Sequence, residues 1–132
     1  MKKHVFTEFI ELINDHQPHE MSSMITEDHV LVDAQGVKFK GIDAVTEVWK
    51  GFFAIWPDYW IEMEDIIALD EKIYGFGTLS GTYTGHLPGK SQHFFKIPLA
   101  VKAIVDGEKI KTWQFFADTK KQSDIMHKNT VG

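Results

Sequence analysis

The stretch GIDAVTEVWKGFFAIWPDYWIEMEDIIAL, residues 41–69, decides the fold, because the spacing of its apolar residues changes at Pro57. Before the proline, apolar residues recur every three or four positions, which is typical of a helix with one broad buried stripe. After it they alternate, which is typical of a strand with one face on a core. We therefore predict a helix over residues 42–56 and a sheet from residue 59.

Alternation continues to residue 118 in segments separated by short turns. The predicted strands are residues 59–69, 73–83, 91–105 and 108–118. Turns at residues 70–71, 87–89 and 106–107 are too short for a crossover, so neighbouring strands should pair as an antiparallel meander. Three glycines, Gly75, Gly77 and Gly81, lie within one strand and predict a strongly bent sheet.

The region before residue 41 predicts helices and then a hairpin. Helical spacing in the first 13 residues, a stop at Gln17-Pro18 and a second short helix over residues 19–25 place helices at about residues 2–25. Residues 29–40 are predicted as a hairpin, and the polar tail 122–132 as a frayed helix or a disordered segment. Helices followed by a bent sheet indicate an α+β fold with helices on the concave side, in one domain over residues 1–132.

Composition excludes several classes of protein. The 132 residues carry a net charge of −5 and no cysteine, and all 14 basic residues are lysines. Without arginine or a basic run, nucleic-acid binding is disfavoured. No stretch approaches the roughly 18 apolar residues of a membrane span, and Glu8 and Glu11 interrupt any signal peptide. We expect no membrane association and a cytoplasmic location, which the lack of cysteine fits.

Several local motifs occur in an order known from one family. They are Ile13-Asn14-Asp15-His16, Asp33-Ala34-Gln35-Gly36, Gly41-Ile42-Asp43-Ala44-Val45, Phe52-Phe53-Ala54-Ile55-Trp56-Pro57-Asp58, Gly81-Thr82-Tyr83-Thr84-Gly85, Ile97-Pro98, and Asp106-Gly107-Glu108-Lys109-Ile110 before Trp113 and Asp118. Over nearly the whole chain this order resembles the SnoaL-like branch of the nuclear transport factor 2-like superfamily, which includes ketosteroid isomerases and polyketide cyclases. The resemblance implies a cone-shaped, cystatin-like α+β fold with a strongly curved antiparallel sheet around one pocket.

Two aspartates are the candidate catalytic residues. Asp33 matches the position of the proton-abstracting aspartate of ketosteroid isomerases, and Asp118 matches an acid/base aspartate of the cyclases. Each also has a structural interpretation, because Asp33 precedes a glycine-containing turn and Asp118 could cap a terminal helix. We predict that Asp118 faces the pocket near Gln114 or Tyr83, with a pKa raised by apolar surroundings.

Departures from the family pattern narrow the reaction. Phe9 stands where the isomerases have a tyrosine donor, and Ala100 where they have a second aspartate. Removing one such donor typically costs about 2.7–4 kcal/mol, so isomerisation of steroids by that mechanism is disfavoured. Epoxide hydrolases of this fold need an arginine, which the chain lacks.

Further groups could carry protons or orient a ligand, and they are His29, His93, Tyr83 and Gln114. The seven histidines form no zinc motif, so we predict neither a metal site nor a cofactor. The predicted pocket-lining residues are Phe9, Trp49, Phe53, Trp56, Tyr59, Ala100, Trp113 and Phe116. Such aromatic walls suit a flat hydrophobic ligand.

Two functions stay open at this point. One is a cofactor-independent acid/base enzyme of the cyclase, isomerase or lyase type, acting on a hydrophobic carbonyl compound. The other is a non-catalytic domain that holds a small molecule or a protein partner. The family resemblance also implies a homodimer, for which Phe94, Lys102 and Ile104 would lie on the convex face of the sheet.

Overall fold

The computed structural model describes residues 2–84 and 93–130, with side chains to His127. Its helices are α1 Lys2–Asn14, α2 Pro18–Ser22, α3 Ile42–Ile55 and α4 Lys120–Thr130. Its strands are β1 Ile25–Val32, β2 Lys38–Lys40, β3 Trp60–Leu69, β4 Lys72–Thr82, β5 Phe94–Asp106 and β6 Lys109–Phe116. The predicted turn at residues 87–89 and the first two residues of the strand predicted from residue 91 lie outside the described residues.

The strands form one curved, unclosed sheet in the order β2-β1-β6-β5-β4-β3, which confirms the predicted α+β fold. β3 to β6 pair antiparallel, as the short turns predicted. The sheet is not wholly antiparallel, however, because β1 runs parallel to β6 with Val30 opposite Thr112. Parallel neighbours end at the same edge of a sheet, so the segments that follow β1 and β6 lie close together.

The inner face of the sheet is the one that the helices cover, and it holds most of the core. On this face α1 packs across β3 to β6, and its Phe6 and Phe9 rings lie 5.1 and 4.9 Å from Trp113. Gly75 allows this close packing, since a Cβ there would collide with the Met63 sulfur and the Phe6 ring. A glycine in mid-strand therefore marks a close approach of helix to sheet.

The outer face of the sheet carries large apolar side chains that remain in solvent. Phe76, Phe94 and Phe116 are each about half exposed. Phe76 and Phe116 both pair with Ala100, so they flank it on adjacent strands. Lys102 and Ile104, predicted on this face, are partly buried there.

Polar contacts fix the end of α1 to the start of β3. The Asn14 side chain donates to the carbonyl of Ile61 and accepts from its N–H, both at 2.8 Å. His16 donates from Nε2 to the carbonyl of Tyr59 at 2.8 Å, while its ring stacks on Phe53 at 4.5 Å. These bonds satisfy backbone groups that would otherwise cost stability when buried, and they hold Tyr59 in place.

The predicted end of the second helix was wrong. The second helix ends at Ser22, not at residue 25, because the chain from Ile25 pairs with β6 and Met24 accepts a bond from the Ile110 N–H at 2.8 Å. Strand pairing here outweighs the local helical pattern.

The polar tail, predicted as a frayed helix or a disordered segment, forms helix α4, whose Ile125 is buried. Over the described ranges, 2–84 and 93–130, no helix is long and apolar enough to cross a membrane.

Candidate active site

A cavity of about 220 Å³ opens at the edge where β1 and β6 end. Its floor is the inner face of the sheet, with α3 on one side and α4 at the mouth. The described lining residues are Asp33, Ala34, Gln35, Phe52, Tyr59, Leu79, Leu99, Phe115, Ala117, Thr119, Gln122, Ser123 and Met126. Most of these are apolar, and Asp33 is the one described lining residue with an ionisable carboxyl group.

Asp33 is held by the turn that follows β1. Its Oδ1 accepts the backbone N–H groups of Gln35 and Val37, both at 2.9 Å. The backbone closes the same turn through Gly36, which has φ 88°, a conformation suited to glycine. The described hydrogen bonds of the Asp33 carboxylate all fall on Oδ1. Oδ2 therefore keeps its capacity to accept a proton from a molecule in the cavity.

Tyr59 supplies a hydroxyl group in the apolar part of the cavity. Only 3% of the residue is exposed, and burial raises the pKa of the phenol well above its ordinary value. Its ring lies parallel to Phe52 at 5.9 Å and edge-on to Trp49 at 6.2 Å. None of the side-chain hydrogen bonds among the described residues involves this hydroxyl, so a neutral phenol can donate its hydrogen bond to an occupant.

Polar side chains surround the mouth of the cavity. Gln35 donates from Nε2 to the hydroxyl of Thr119 at 2.6 Å, which joins the Asp33 turn to the start of α4. Gln122 and Ser123 follow on the first turns of α4. The mouth is thus lined by polar side chains, whereas the interior is lined mainly by apolar ones.

Asp118 does not lie in this cavity, so its predicted position was wrong. The residue is exposed, and its Oδ1 accepts the N–H of Lys120 at 3.0 Å at the start of α4. Along the chain Phe115 and Ala117 face the cavity, which turns Phe116 and Asp118 to the outer face. The helix-capping interpretation therefore describes Asp118.

Of the predicted lining residues, Tyr59 is found in the cavity wall. Phe9, Trp49 and Trp113 are fully buried behind the cavity in the core, where they contact one another. Ala100 and Phe116 lie on the outer face, in a shallow groove beside Asp118. Two others pack elsewhere, Phe53 on His16 and Trp56 on Phe95.

The predicted proton carriers also lie outside the described lining. His29 is fully buried, and its Nδ1 donates to the carbonyl of Ile110 at 2.7 Å. Burial lowers the pKa of His29, and the bond to Ile110 offsets this only in part. Tyr83 packs on Trp56, and its N–H donates to the carbonyl of His93, which directly precedes β5. Gln114 faces away from the cavity on β6.

Several lining residues were missed by the sequence analysis. Leu79 and Leu99 share one face of adjacent strands, and their alternation was visible in the sequence. The signal for α4 was the spacing of Gln122, Ile125 and Met126, which a helix places on one side. Nothing in the local sequence indicated that this side would cover the cavity.

A family model described as SnoaL-like domain matches residues 6–113. The chain belongs to the SnoaL-like domain family. This match covers most of the sequence, including Asp33 and Tyr59, and ends before Asp118 and α4. No curated protein shows significant sequence similarity to this SnoaL-like chain.

Solved structures of similar proteins share the fold. A protein described as a SnoaL-like polyketide cyclase from Shewanella denitrificans is 14% identical, with 97% of this chain and 98% of that one covered and a TM-score of 0.80. A nuclear transport factor 2-like protein from Burkholderia thailandensis is 20% identical, with 96% and 97% covered and a TM-score of 0.79. A protein with a ketosteroid isomerase-like fold from Catenulispora acidiphila, in complex with trimethylamine, is 16% identical, with 85% and 83% covered and a TM-score of 0.75.

Proposed function

We propose that this SnoaL-like protein is a cofactor-independent acid/base enzyme that removes a proton from the carbon beside a carbonyl group of a small apolar molecule. One observation carries the proposal. A carboxylate oxygen without a described partner and a neutral phenol without a described partner both line one apolar cavity. That pairing of an acceptor and a donor matches what enolisation needs.

Asp33 is the base in this proposal. Its Oδ2 takes the proton, the C–H electron pair forms the new carbon–carbon double bond, and the carbonyl oxygen gains the negative charge. The turn contacts to Oδ1 keep the carboxylate oriented without using Oδ2. A positioned general base contributes typically 10²–10⁴ in rate.

Tyr59 is the donor to the developing enolate oxygen. A neutral phenol fixed among aromatic rings donates without having to give up a water shell, and such donation is stronger in a dry site. Phe9 and Ala100 replace the donors of the isomerases, and Phe9 lies in the core. The proposed donor therefore comes from the residue just before β3 and not from α1 or β5. Asp33 then returns the proton. Its return to a conjugated carbon completes an isomerisation, whereas its return to the same carbon regenerates the ketone and is seen only as hydrogen exchange.

Exchange of carbon-bound hydrogen tests the proposal without knowledge of the natural substrate. The probe is 2-tetralone, a two-ring ketone, incubated with the protein in D₂O and followed by proton NMR. We expect the wild-type protein to accelerate loss of the α-proton signal over buffer alone. Asp33→Asn should slow the exchange about 10²–10⁴-fold.

The matched control is Asp118→Asn. Asparagine retains a carbonyl oxygen in place of Oδ1, so each variant keeps the hydrogen bonds of its turn or cap and loses only the charge. Asp118→Asn should leave exchange within about twofold of wild type. Equal losses in both variants, or no acceleration by the wild-type protein, would overturn the assignment of Asp33 as the base.

The second candidate function is non-catalytic binding of a small molecule in the same cavity. One observation favours it, namely that the bonds from Gln35 and Val37 give Asp33 a purely structural task. Binding of 2-tetralone, seen by calorimetry, without any accelerated exchange would be the expected result for this candidate.

A further inference from the structure

The substrate class of this site can be narrowed by the size of its cavity, by its outer wall and by its charge. The cavity measures about 220 Å³. An engineered apolar cavity of about 150 Å³ holds benzene, and sites for drug-sized ligands typically measure about 300–1,000 Å³. The interior therefore has room for one ring and part or all of a second, and three or four fused rings would have to extend through the mouth past α4.

The wall that limits this space at the mouth is α4 with the residue before it. Thr119, Gln122, Ser123 and Met126 all line the cavity from this side. Met126 is the large apolar member of the group, and it is partly buried against the core. Its side chain therefore occupies space that a larger ligand would need.

Described contacts attach α4 to the rest of the molecule at its start and near its middle. Asp118 caps its start, Gln35 bonds to Thr119, and Ile125 is its buried anchor. Met126 also packs against the core, but Ile125 is the buried residue of the helix. Substitutions at Met126 or Ser123 therefore leave the Ile125 side chain, the Asp118 cap and the Gln35 bond unchanged.

The charge of the cavity excludes one class of ligand. Among the described lining residues, Asp33 supplies the one carboxylate, and none carries a positive charge. Apolar walls lower the local dielectric and strengthen repulsion between the Asp33 carboxylate and an anion. A carboxylate or phosphate ligand would gain no compensating ion pair within the described lining.

We infer that α4 restricts the substrate to an uncharged compound of one or two rings, with Met126 as the residue that sets the size limit. The inference rests on the proposed function for the identity of the site, but it concerns binding and not turnover. Three observations support it together: the cavity volume, the position of Met126 in the wall, and Asp33 as the one carboxylate among the described lining residues.

Binding of a graded series of neutral ketones to the full chain tests the size limit. The probes are acetophenone with one ring, 2-tetralone with two and 2-acetylanthracene with three, each titrated by calorimetry. The wild-type protein should bind the first two at least about tenfold more tightly than the third. Met126→Ala should improve binding of 2-acetylanthracene about tenfold, because two or more methylene-sized groups become buried in the space released. Acetophenone binding should change by less than about threefold.

Two further variants keep this test decisive. Lys121→Ala, on the exposed side of the same helix, is the matched control and should change no affinity. Ser123→Leu adds volume at the wall and should weaken 2-tetralone about tenfold, whether or not Met126→Ala folds well. The inference is overturned if wild type binds the three-ring ketone as tightly as 2-tetralone, or if Met126→Ala shifts all three probes equally.

The charge limit is tested with benzoate and acetophenone, which have nearly the same shape. Acetophenone should bind at least about tenfold more tightly at neutral pH, and Asp33→Asn should reduce that preference about tenfold. Equal affinity of the two probes for wild type would refute the charge limit. If ketone exchange fails while these binding limits hold, the proposed reaction is wrong and the assignment of ligand size and charge stands. If exchange succeeds on the three-ring ketone, this inference alone fails.

Discussion

Asp33 and Asp118 follow parallel strands that end at the same edge of the sheet, yet they lie on opposite faces of it. Asp33 sits at the cavity with its turn bonds on one carboxylate oxygen. Asp118 is exposed beside the outer groove and caps α4. The two aspartates lie at similar places along this edge. The side of the sheet on which each lies determines whether its carboxylate borders the cavity or the solvent.

The same contrast exists between neighbouring residues of β6, and it gives the largest effect that we predict. Phe115 is 6% exposed and Phe116 is 48% exposed. Phe115→Ala leaves a hole in the inner wall and should lower the free energy of unfolding by about 3–5 kcal/mol. Phe116→Ala should change it by at most about 0.5 kcal/mol in the monomer. Urea denaturation of both variants measures the difference, and similar losses would contradict the assignment of faces.

Alternation along β6 was enough to sort its residues into two sets, but not to tell which set faces inward. Trp113, Phe115 and Ala117 form one set, and Gln114, Phe116 and Asp118 the other. The second set was expected inside because the family resemblance placed an acid there. The buried bulk of Trp113 was the better guide, since the larger apolar side chains gain most from the core.

The fold itself was largely predictable, because periodicity and turn length report local structure directly. α3 and the four strands from β3 to β6 lie close to their predicted ranges. The parallel pairing of β1 with β6 was not predictable from local pattern, since it joins segments far apart in sequence. The cavity lies beside this pairing and under α4, which explains why most of its lining was missed.

A second prediction compares two tyrosines, one in the cavity and one outside it. Tyr59→Phe should lower the rate of ketone exchange about 10²–10³-fold, equivalent to about 2.7–4 kcal/mol, because the enolate oxygen loses its donor. Tyr83 packs on Trp56 away from the described lining, so Tyr83→Phe is the control and should leave the rate unchanged. The measurement is the NMR exchange rate. A wild-type exchange rate in Tyr59→Phe would show that Tyr59 is not the hydrogen-bond donor to the enolate oxygen.

The outer face gives the third prediction, the homodimer. We expect light scattering at tens of micromolar to give twice the 15.2 kDa of the chain. Phe116→Glu places a charge in the outer groove, across Ala100 from Phe76, and should weaken association at least about tenfold. A mass near that of one chain for the wild-type protein would refute the dimer. A dimer unaffected by Phe116→Glu would move the interface off this face.

The last prediction concerns pH and a histidine inside the molecule. Because burial lowers the pKa of His29, the unfolded chain binds a proton more readily than the folded one near the ordinary value of 6.5. The stability that comes from neutral His29 should therefore be present above pH 6.5 and lost progressively as the pH falls below it.

Denaturation midpoints at pH 7.5 and 5.5 measure this dependence. His29→Asn places a side-chain N–H at the position of Nδ1 for the Ile110 carbonyl and should reduce the loss of stability on acidification. Exposed His19 is the control, and His19→Asn should behave as wild type. An equal acid response in wild type and His29→Asn would show that His29 does not control it.

The pairing of β1 with β6 also has a consequence for biosynthesis. Val30 pairs with Thr112, about 80 residues later in the chain, so the two strands can pair only after that later residue has been synthesised. Contacts of such long sequence separation form slowly and late, since the intervening chain must be ordered first. On the ribosome, Asp33 and its turn emerge early, but the pocket beside them is complete only after both β6 and α4 have been synthesised. A nascent chain arrested before residue 109 would therefore expose the inner wall to chaperones and proteases.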